Sequence, residues 1–559
     1  MRSSCRCRVG TVLAICLAWV AFAVPESRAQ QAGGARSGSV LVASPGPRGS
    51  EWKRAFNPFR DDTDTRWPAS AGVYEPLLVY SRATRTYLPW LATAHTWGAG
   101  NLTLLFTIRP GVLWSDGAAF SSRDVVFTFD LLRRFPALDR QGMWAFLTDV
   151  KAVPSGVEFT FKRAYTPGFV SIATQPIVAE HRWKDVAQPA TFDDPSPVGT
   201  GPFTEVKRFE PTVYELGKNP RYWQPGKPMV DVLRVPLYRS NDELLRAMEG
   251  GELDWASLFL SDVEKRWVAK DPARHLYWYP DLGPMVLLQL NTEHKLFDGA
   301  EVRKALSLAL DRPRILREAL NDYAPPADAS GLGESQKVWK DAALVQAARW
   351  TTRDVAQANK LLDAAGLARG ADGIRVVPGG AAMRYDLHVV DGWSDWEIAA
   401  GIMRQNLAEV GVAATVKPVT YDAWYGALER GRFDMGMWFG DRGPTPYQFY
   451  RSQLDPQLVK PVGDRASANF HRFGSEEAGQ LLRRFEAVSD NADQMKVGRG
   501  LQKIYIDEAP SLPLFASPLW GVFNSGRVAG FPSRLRPYGG AVPGFQSDNL
   551  LVLVEIKPR

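Results

Sequence analysis

The sequence predicts an α/β protein with more than one hydrophobic core. Three observations carry that expectation. The chain has 559 residues, and length alone suggests roughly two to four domains. Strand-like and helix-like segments alternate through 385–390, 396–410, 412–418, 421–430 and 433–439, the βαβαβ rhythm of a mostly parallel sheet. Apolar residues make up 45% and charged residues 23%, which suits a soluble globular chain and excludes a disordered one. No fixed-period repeat is evident. The last strand of the rhythm runs into Gly440-Asp441-Arg442-Gly443-Pro444-Thr445-Pro446-Tyr447. Ligands bind beyond the carboxyl ends of strands in open α/β sheets, so this loop is expected to face a cleft between two lobes.

The chain opens with Arg2, Arg6 and Arg8, then an apolar, uncharged run over 9–24. Ala21-Phe22-Ala23 and Ser27-Arg28-Ala29 offer small residues at signal-peptidase spacing. Residues 1–29 therefore read as a secretory signal peptide, with a membrane anchor as the alternative. Leu13-Ala14-Ile15-Cys16 is a poor lipoprotein box, because Cys16 lies inside the apolar run. Cys5, Cys7 and Cys16 are all in this segment. The exported chain then has no disulfide and no thiolate metal site. Cleavage also removes four arginines and one glutamate, leaving a weakly basic surface without a nucleic-acid-binding run.

Residues 30–50 read as a linker that leads into a first strand at 39–43. Leu102, Leu104, Phe106 and Ile108 alternate as in a strand. Ser121 with Asp124 has capping-box spacing before a helix whose Val125, Phe129 and Leu132 share a face. Residues 146–153 and 157–161 flank Pro154-Ser155-Gly156 as a hairpin. Val198-Gly199-Thr200-Gly201-Pro202-Phe203 marks a domain junction. Asn241 is expected to cap a helix over 243–250, Asp298 one with the apolar stripe Val302, Ala305, Leu306, Ala309, and Asp311 the next. Gly366, Gly411 and Gly431 read as helix stops. Helices follow over 476–489 and 497–508.

Seven ordered motifs then resemble one family. They are Tyr74-Glu75-Pro76-Leu77; Ile108-Arg109-Pro110-Gly111-Val112 with Trp114-Ser115-Asp116-Gly117 and Asp124-Val125-Val126-Phe127; Gly199-Thr200-Gly201-Pro202-Phe203; Asn219-Pro220-Arg221-Tyr222-Trp223; Val302-Arg303-Lys304-Ala305-Leu306 with Asp311-Arg312; Ala358 through Leu361-Leu362 to Gly366; and Phe433-Asp434. The chain resembles family 5 extracellular solute-binding proteins, the oligopeptide- and nickel-binding type that serves ABC importers. The resemblance implies a two-lobed periplasmic-binding-protein fold of the cluster C type with a hinge and an extra small domain. Lobe I would take 30–71, 197–285 and 525–559, the small domain 72–196 and lobe II 286–524. The two hinge crossings are expected near 284–291 and 515–524. Arg303 and Asp311 would decorate a helix pair.

The resemblance further implies a periplasmic, monomeric binding protein that hands its solute to an ABC permease and needs no cofactor. Two ligand classes stay open, an oligopeptide and a short oligosaccharide. The family's peptide binders pair an acidic residue in the 440–447 region with the peptide amino terminus. Asp441 would serve, but Arg442 beside it would offset its charge. Trp52, Trp114, Trp393, Trp396 and Trp438 lie where the family lines its cleft, with Tyr74 and Tyr447 as further candidate contacts, and aromatic faces stack on sugar rings, which favours the oligosaccharide. Of these, Trp438 is the expected anchor, its loss weakening binding by about 1 kcal/mol or more. Sensory binding and glycoside hydrolysis are the remaining alternatives. None of His95, His181, His275, His294, His388 and His471 shares a metal-ligand spacing with another, and no HExxH, GxSxG or P-loop is present.

Overall fold

The chain visits one of its two main sheets three times and the other once, and this weaving makes the lobes. The computed structural model describes residues 38–48, 50–60, 65–294, 296–440 and 443–559; the signal-peptide segment lies outside them. The first sheet has seven strands in the order His275–Trp278, Gly521–Asn524, Trp255–Ser257, Val40–Ser44, Val232–Pro236, Val213–Lys218, Phe203–Glu210. The second has five, in the order Ala413–Val419, Arg384–Val390, Met435–Phe439, Met285–Leu290, Ser511–Ala516. Arg384–Val390 runs parallel to both of its neighbours. Met285–Leu290 runs antiparallel to both of its own. The mostly parallel reading therefore holds, with one reversed strand. A third, four-stranded antiparallel sheet joins Ala92–Trp97, Thr103–Ile108, Gly156–Phe161 and Leu147–Val153.

The crossings between the first two sheets are short. One runs 279–284 and the other 517–520, and they lie side by side. Ser517 N donates to Pro284 O at 2.8 Å and Leu519 N to Pro280 O at 3.0 Å. A Cβ on Gly283 would stand 2.0 Å from Ser517 O, so glycine permits this approach. Two expected boundaries move accordingly. Residues 285–290 are a central strand and not a crossing. Gly521–Asn524, expected in lobe II, pairs with Trp255–Ser257 and His275–Trp278 in the first lobe.

Most elements form where their local signals sit. Ser121 and Asp124 close the capping box of helix Ser122–Arg134. Gly366, Gly411 and Gly431 take positive φ just past three helices. Two caps differ. Ser240, not Asn241, caps Asn241–Glu249 with its side chain. Helix Ala300–Ala309 starts at Gly299 with no side-chain cap, so Asp298 does not cap it. Arg303 is fully buried and donates to the carbonyls of Phe297, Asp298, Glu508 and Ala509. It therefore clamps two helices from inside and does not decorate their surface. Asp311 caps helix Arg312–Leu320 as expected, and Arg312 is likewise buried, donating to Ser307, Thr351 and Pro513.

Three of the motifs meet at one buried carboxylate. Glu75 is fully buried and accepts from Trp90 Nε1 at 2.6 Å, Tyr222 OH at 2.9 Å and Trp223 Nε1 at 3.1 Å. Arg109 lies over the Trp223 ring, 4.3 Å from its centroid. Beside them a Cβ on Gly201 would stand 2.1 Å from Gly72 O. Burial pushes the Glu75 carboxyl up to about 7. The four-stranded sheet shares one apolar core with the first lobe, where Leu104, Phe129 and Phe159 join Leu41, Leu233 and Phe523. Lobe II has its own, around Val286, Leu288, Leu387 and Met435.

Candidate functional site

Strand Met435–Phe439 ends at Gly440, whose N–H donates to Met285 O at 2.7 Å. The chain resumes at Gly443 and Pro444 before helix Tyr447–Leu454. Gln336 pins this loop by donating to Thr445 O at 2.9 Å. Phe449 fills the space beneath it. A Cβ on Gly440 would meet the Phe449 ring at 2.7 Å, and one on Gly331 at 2.4 Å, with Gly331 also at φ +69°. Two glycines thus let one aromatic ring seat the loop.

Above this platform is a cavity of about 470 Å³ between the lobes, within the usual range for small-molecule sites. Gly283 and Pro284 of the hinge, with Met285 at the start of the next strand, form its back. Lobe II contributes Gly333, Gln336, Pro444 and Phe449. The opposite wall comes from the first lobe and small domain: Arg60, Arg82, Arg140, Gln141, Gln175 and, from the C-terminal segment, Gln546. The described lining residues thus include three guanidinium groups, four primary amides and the hydroxyls of Ser70, Ser335 and Ser547, and neither a carboxylate nor a tryptophan. Arg82 is held bidentate by the buried Asp548 at 2.9 and 3.0 Å, which fixes its plane. Arg60 pairs with Asp193 and its carbonyl accepts from Arg140 at 3.2 Å.

The lobes also meet on the side of the small domain. Thr166 N donates to Glu486 O and its Oγ1 to Val488 O, both at 2.8 Å. Gln494 donates to Thr166 Oγ1 at 3.2 Å, and Asn101 to Ala487 O at 3.1 Å. Arg163 pairs with Glu486.

The residues singled out in the sequence occupy several places. Gly443 and Pro444 reach the cavity, as the loop's position implied. Asp441 and Arg442 lie outside the described residues. Tyr447 is buried; its hydroxyl donates to Glu486 at 2.6 Å and its ring stands edge-on to Tyr165 at 6.1 Å. It braces the small-domain contact and is not in the cavity wall. Trp438 packs among Trp424, Tyr425 and Phe470 with centroids 4.9 to 5.5 Å away, beside a separate void of about 40 Å³. Trp396 is buried against Trp393 and Phe439; Trp393 is half-buried in the same cluster. Trp52 is buried against Tyr214, with Arg48 and Arg66 over its ring. Tyr74 is buried with its hydroxyl on Asp194, and Trp114 is buried against Phe120. None of Trp52, Tyr74, Trp114, Trp393, Trp396, Trp438 or Tyr447 lines this cavity. Each ring instead packs against other side chains, the burial that gives tryptophan most of its stabilising value.

Arg82, Gln175, Gln336, Phe449 and Gln546 went unnoticed in the sequence. They come from separate segments and sit in no motif; only the apposition of the lobes unites them. Among the described residues, no three His, Cys, Asp or Glu side chains converge to hold a metal ion. None of their helices is long and apolar enough to cross a membrane.

Comparison with known proteins decides what this two-lobed architecture is. Residues 86–458 match the family described as bacterial extracellular solute-binding proteins, family 5 middle. The chain belongs to this family. Family 5 is a binding and transport family, so the cleft is read as a binding cleft. The glutathione-binding protein GsiB of Escherichia coli K12 is 24% identical over 465 residues, covering 79% of this chain and 82% of that one. Di/tripeptide-binding protein 2 of Pseudomonas aeruginosa is 22% identical over 515 residues, 85% of this chain and 90% of that one. The crystal structure of a periplasmic oligopeptide-binding protein of Thermotoga maritima superposes with a TM-score of 0.86 at 22% identity, covering 94% of this chain and all of that one. The mannohexaose-bound form of an oligopeptide-binding protein from that organism superposes at 0.81, also at 22% identity, covering 94% of this chain and 99% of that one.

Proposed function

We propose that this family 5 protein is the periplasmic receptor of an ABC importer, that it acts as a monomer, and that its solute is a short peptide or peptide-like carboxylate. The wall of the inter-lobe cavity carries this reading. Guanidinium groups match a terminal carboxylate. Side-chain amides can donate to and accept from peptide groups along an extended backbone. Sugar recognition through stacked tryptophan has no support there, because the described wall contains no tryptophan. A volume of about 470 Å³ suits a few residues better than a hexasaccharide. The di/tripeptide- and glutathione-binding relatives agree with this choice. A ligand that touches both lobes binds the closed form more tightly and shifts the population towards it, and the permease would read that shape.

The test is calorimetry on the purified protein with di- to pentapeptides and di- to pentasaccharides. Peptides are expected to bind, shorter ones best, with amidation of the carboxyl terminus weakening them. Binding of saccharides with none of peptides would overturn the ligand class while leaving the receptor assignment intact.

A further inference from the structure

A second inter-lobe cavity, of about 320 Å³, lies beside the first. The two share Val170 and Pro444 in their walls, so these residues form a neck between an inner and an outer chamber. Their linings differ. The inner one carries arginine, glutamine and serine among the rings of Phe59, Tyr80, Phe449 and Phe545. The outer one carries the rings of Tyr87, His95, Trp97, Phe169 and Phe485. Its other described lining residues are uncharged, including Thr445, Gln448, Ser489 and Gln494. Burial lowers His95 below the ordinary imidazole range, so that ring is neutral at neutral pH.

The aromatic wall is organised around Phe169. Tyr87 meets it edge-on at 4.9 Å, His95 lies at 4.6 Å and Trp97 at 6.4 Å. The neck is also fixed on both sides. Val170 belongs to helix Gly168–Ala173, just after the Thr166 contacts to Glu486 and Val488. Pro444 sits between Gly443 and Thr445, both of whose carbonyls accept from Gln336. The chamber is therefore walled from both lobes and exists as a chamber only while they are apposed.

We propose that this outer chamber is a side-group subsite, which takes an uncharged aromatic or branched aliphatic group of the same solute whose carboxylate end occupies the inner chamber. The proposal rests on the peptide reading above and adds selectivity to it. Charged groups are disfavoured there because none of the described walls offers a counter-charge, and desolvating an ion without one is costly. An aromatic group gains apolar contact and edge-to-face partners.

The experiment titrates the full mature protein with Ala-Ala-Ala, Phe-Ala-Ala, Ala-Ala-Phe and their Glu-substituted counterparts. One phenylalanine peptide is expected to bind about tenfold more tightly than tri-alanine, and its glutamate counterpart more weakly than tri-alanine. Trp97→Ala is expected to abolish that preference with tri-alanine affinity unchanged. Because Trp97 also packs on Phe161 at 5.2 Å, a second variant acts from the exposed rim. Ser489→Trp should fill the chamber and erase the same preference without removing core contacts. Tri-alanine binding with no phenylalanine preference, or a preference that survives both variants, would overturn the subsite alone. Failure of every tripeptide to bind would overturn the peptide reading and the subsite with it.

Discussion

Glu75 and the inter-lobe cavity are both assembled from distant segments, yet they are built in opposite ways. Around Glu75 nearly every group comes from a family motif, and the donors Trp90 and Tyr222 are buried with Trp223 half-buried beside them. The cavity draws on residues outside those motifs, at the ends of strands and in loops. The motif residues hold the first lobe together, and the unmotifed ones line the cavity where the solute is proposed to bind. In this chain the recognisable signature marks the frame. The cavity wall is carried by loops and element ends on a rigid scaffold, where binding residues are commonly found.

Four substitutions can break or sharpen that contrast. The largest loss is expected for Arg312→Met. It strips donors from Ser307, Thr351 and Pro513 and should cost about 4 kcal/mol in denaturant unfolding. Glu75 follows, through pH. Its carboxyl is raised from an ordinary 4.5 to about 7, so the folded state holds the proton more tightly than the unfolded one. The stability it confers is complete below pH 4.5 and is lost as pH rises to 7, a total of about 3 kcal/mol. Glu75→Gln should flatten this part of the stability–pH profile, read by thermal melts; an unchanged slope would exclude Glu75 as its source.

Trp438→Ala tests the opposite side of the contrast. The ring packs against Trp424 and Phe470, away from the cavity wall. The expected result is a loss of about 2 kcal/mol in stability with peptide affinity unchanged. A selective loss of affinity would return Trp438 to the site. Arg82→Lys should have the smallest effect, about 1 kcal/mol. It keeps the charge but forfeits the bidentate hold of Asp548, so it should weaken carboxylate ligands and spare their amides.

Much of the fold was legible because its signals are local. The capping box at Ser121 and Asp124, the stop at Gly411 and the turn at Pro154-Ser155-Gly156 each act within a few residues. The errors lie one level up. Asp298 looked like a cap because the spacing was right, but the helix begins without it. Arg303 looked peripheral because arginine usually is, whereas here four carbonyls satisfy a buried guanidinium. The site was least legible. Trp393 and Trp396 follow Gly392, which suggested exposure, but whether a ring at a strand end faces a cleft or a neighbouring helix depends on tertiary packing. Gln175, Gln336 and Gln546 carry no local signal, and only the tertiary fold brings them to one cavity.

The paired crossings at 279–284 and 517–520 set how the molecule can move. Joined by backbone hydrogen bonds and pressed together at Gly283, they behave as one ribbon and not as two tethers. A ribbon bends across its face but resists sliding of one strand along the other. Bending across that face is the soft direction for lobe motion. Both chambers are walled by the same two lobes, so a bend at this ribbon changes the width of both.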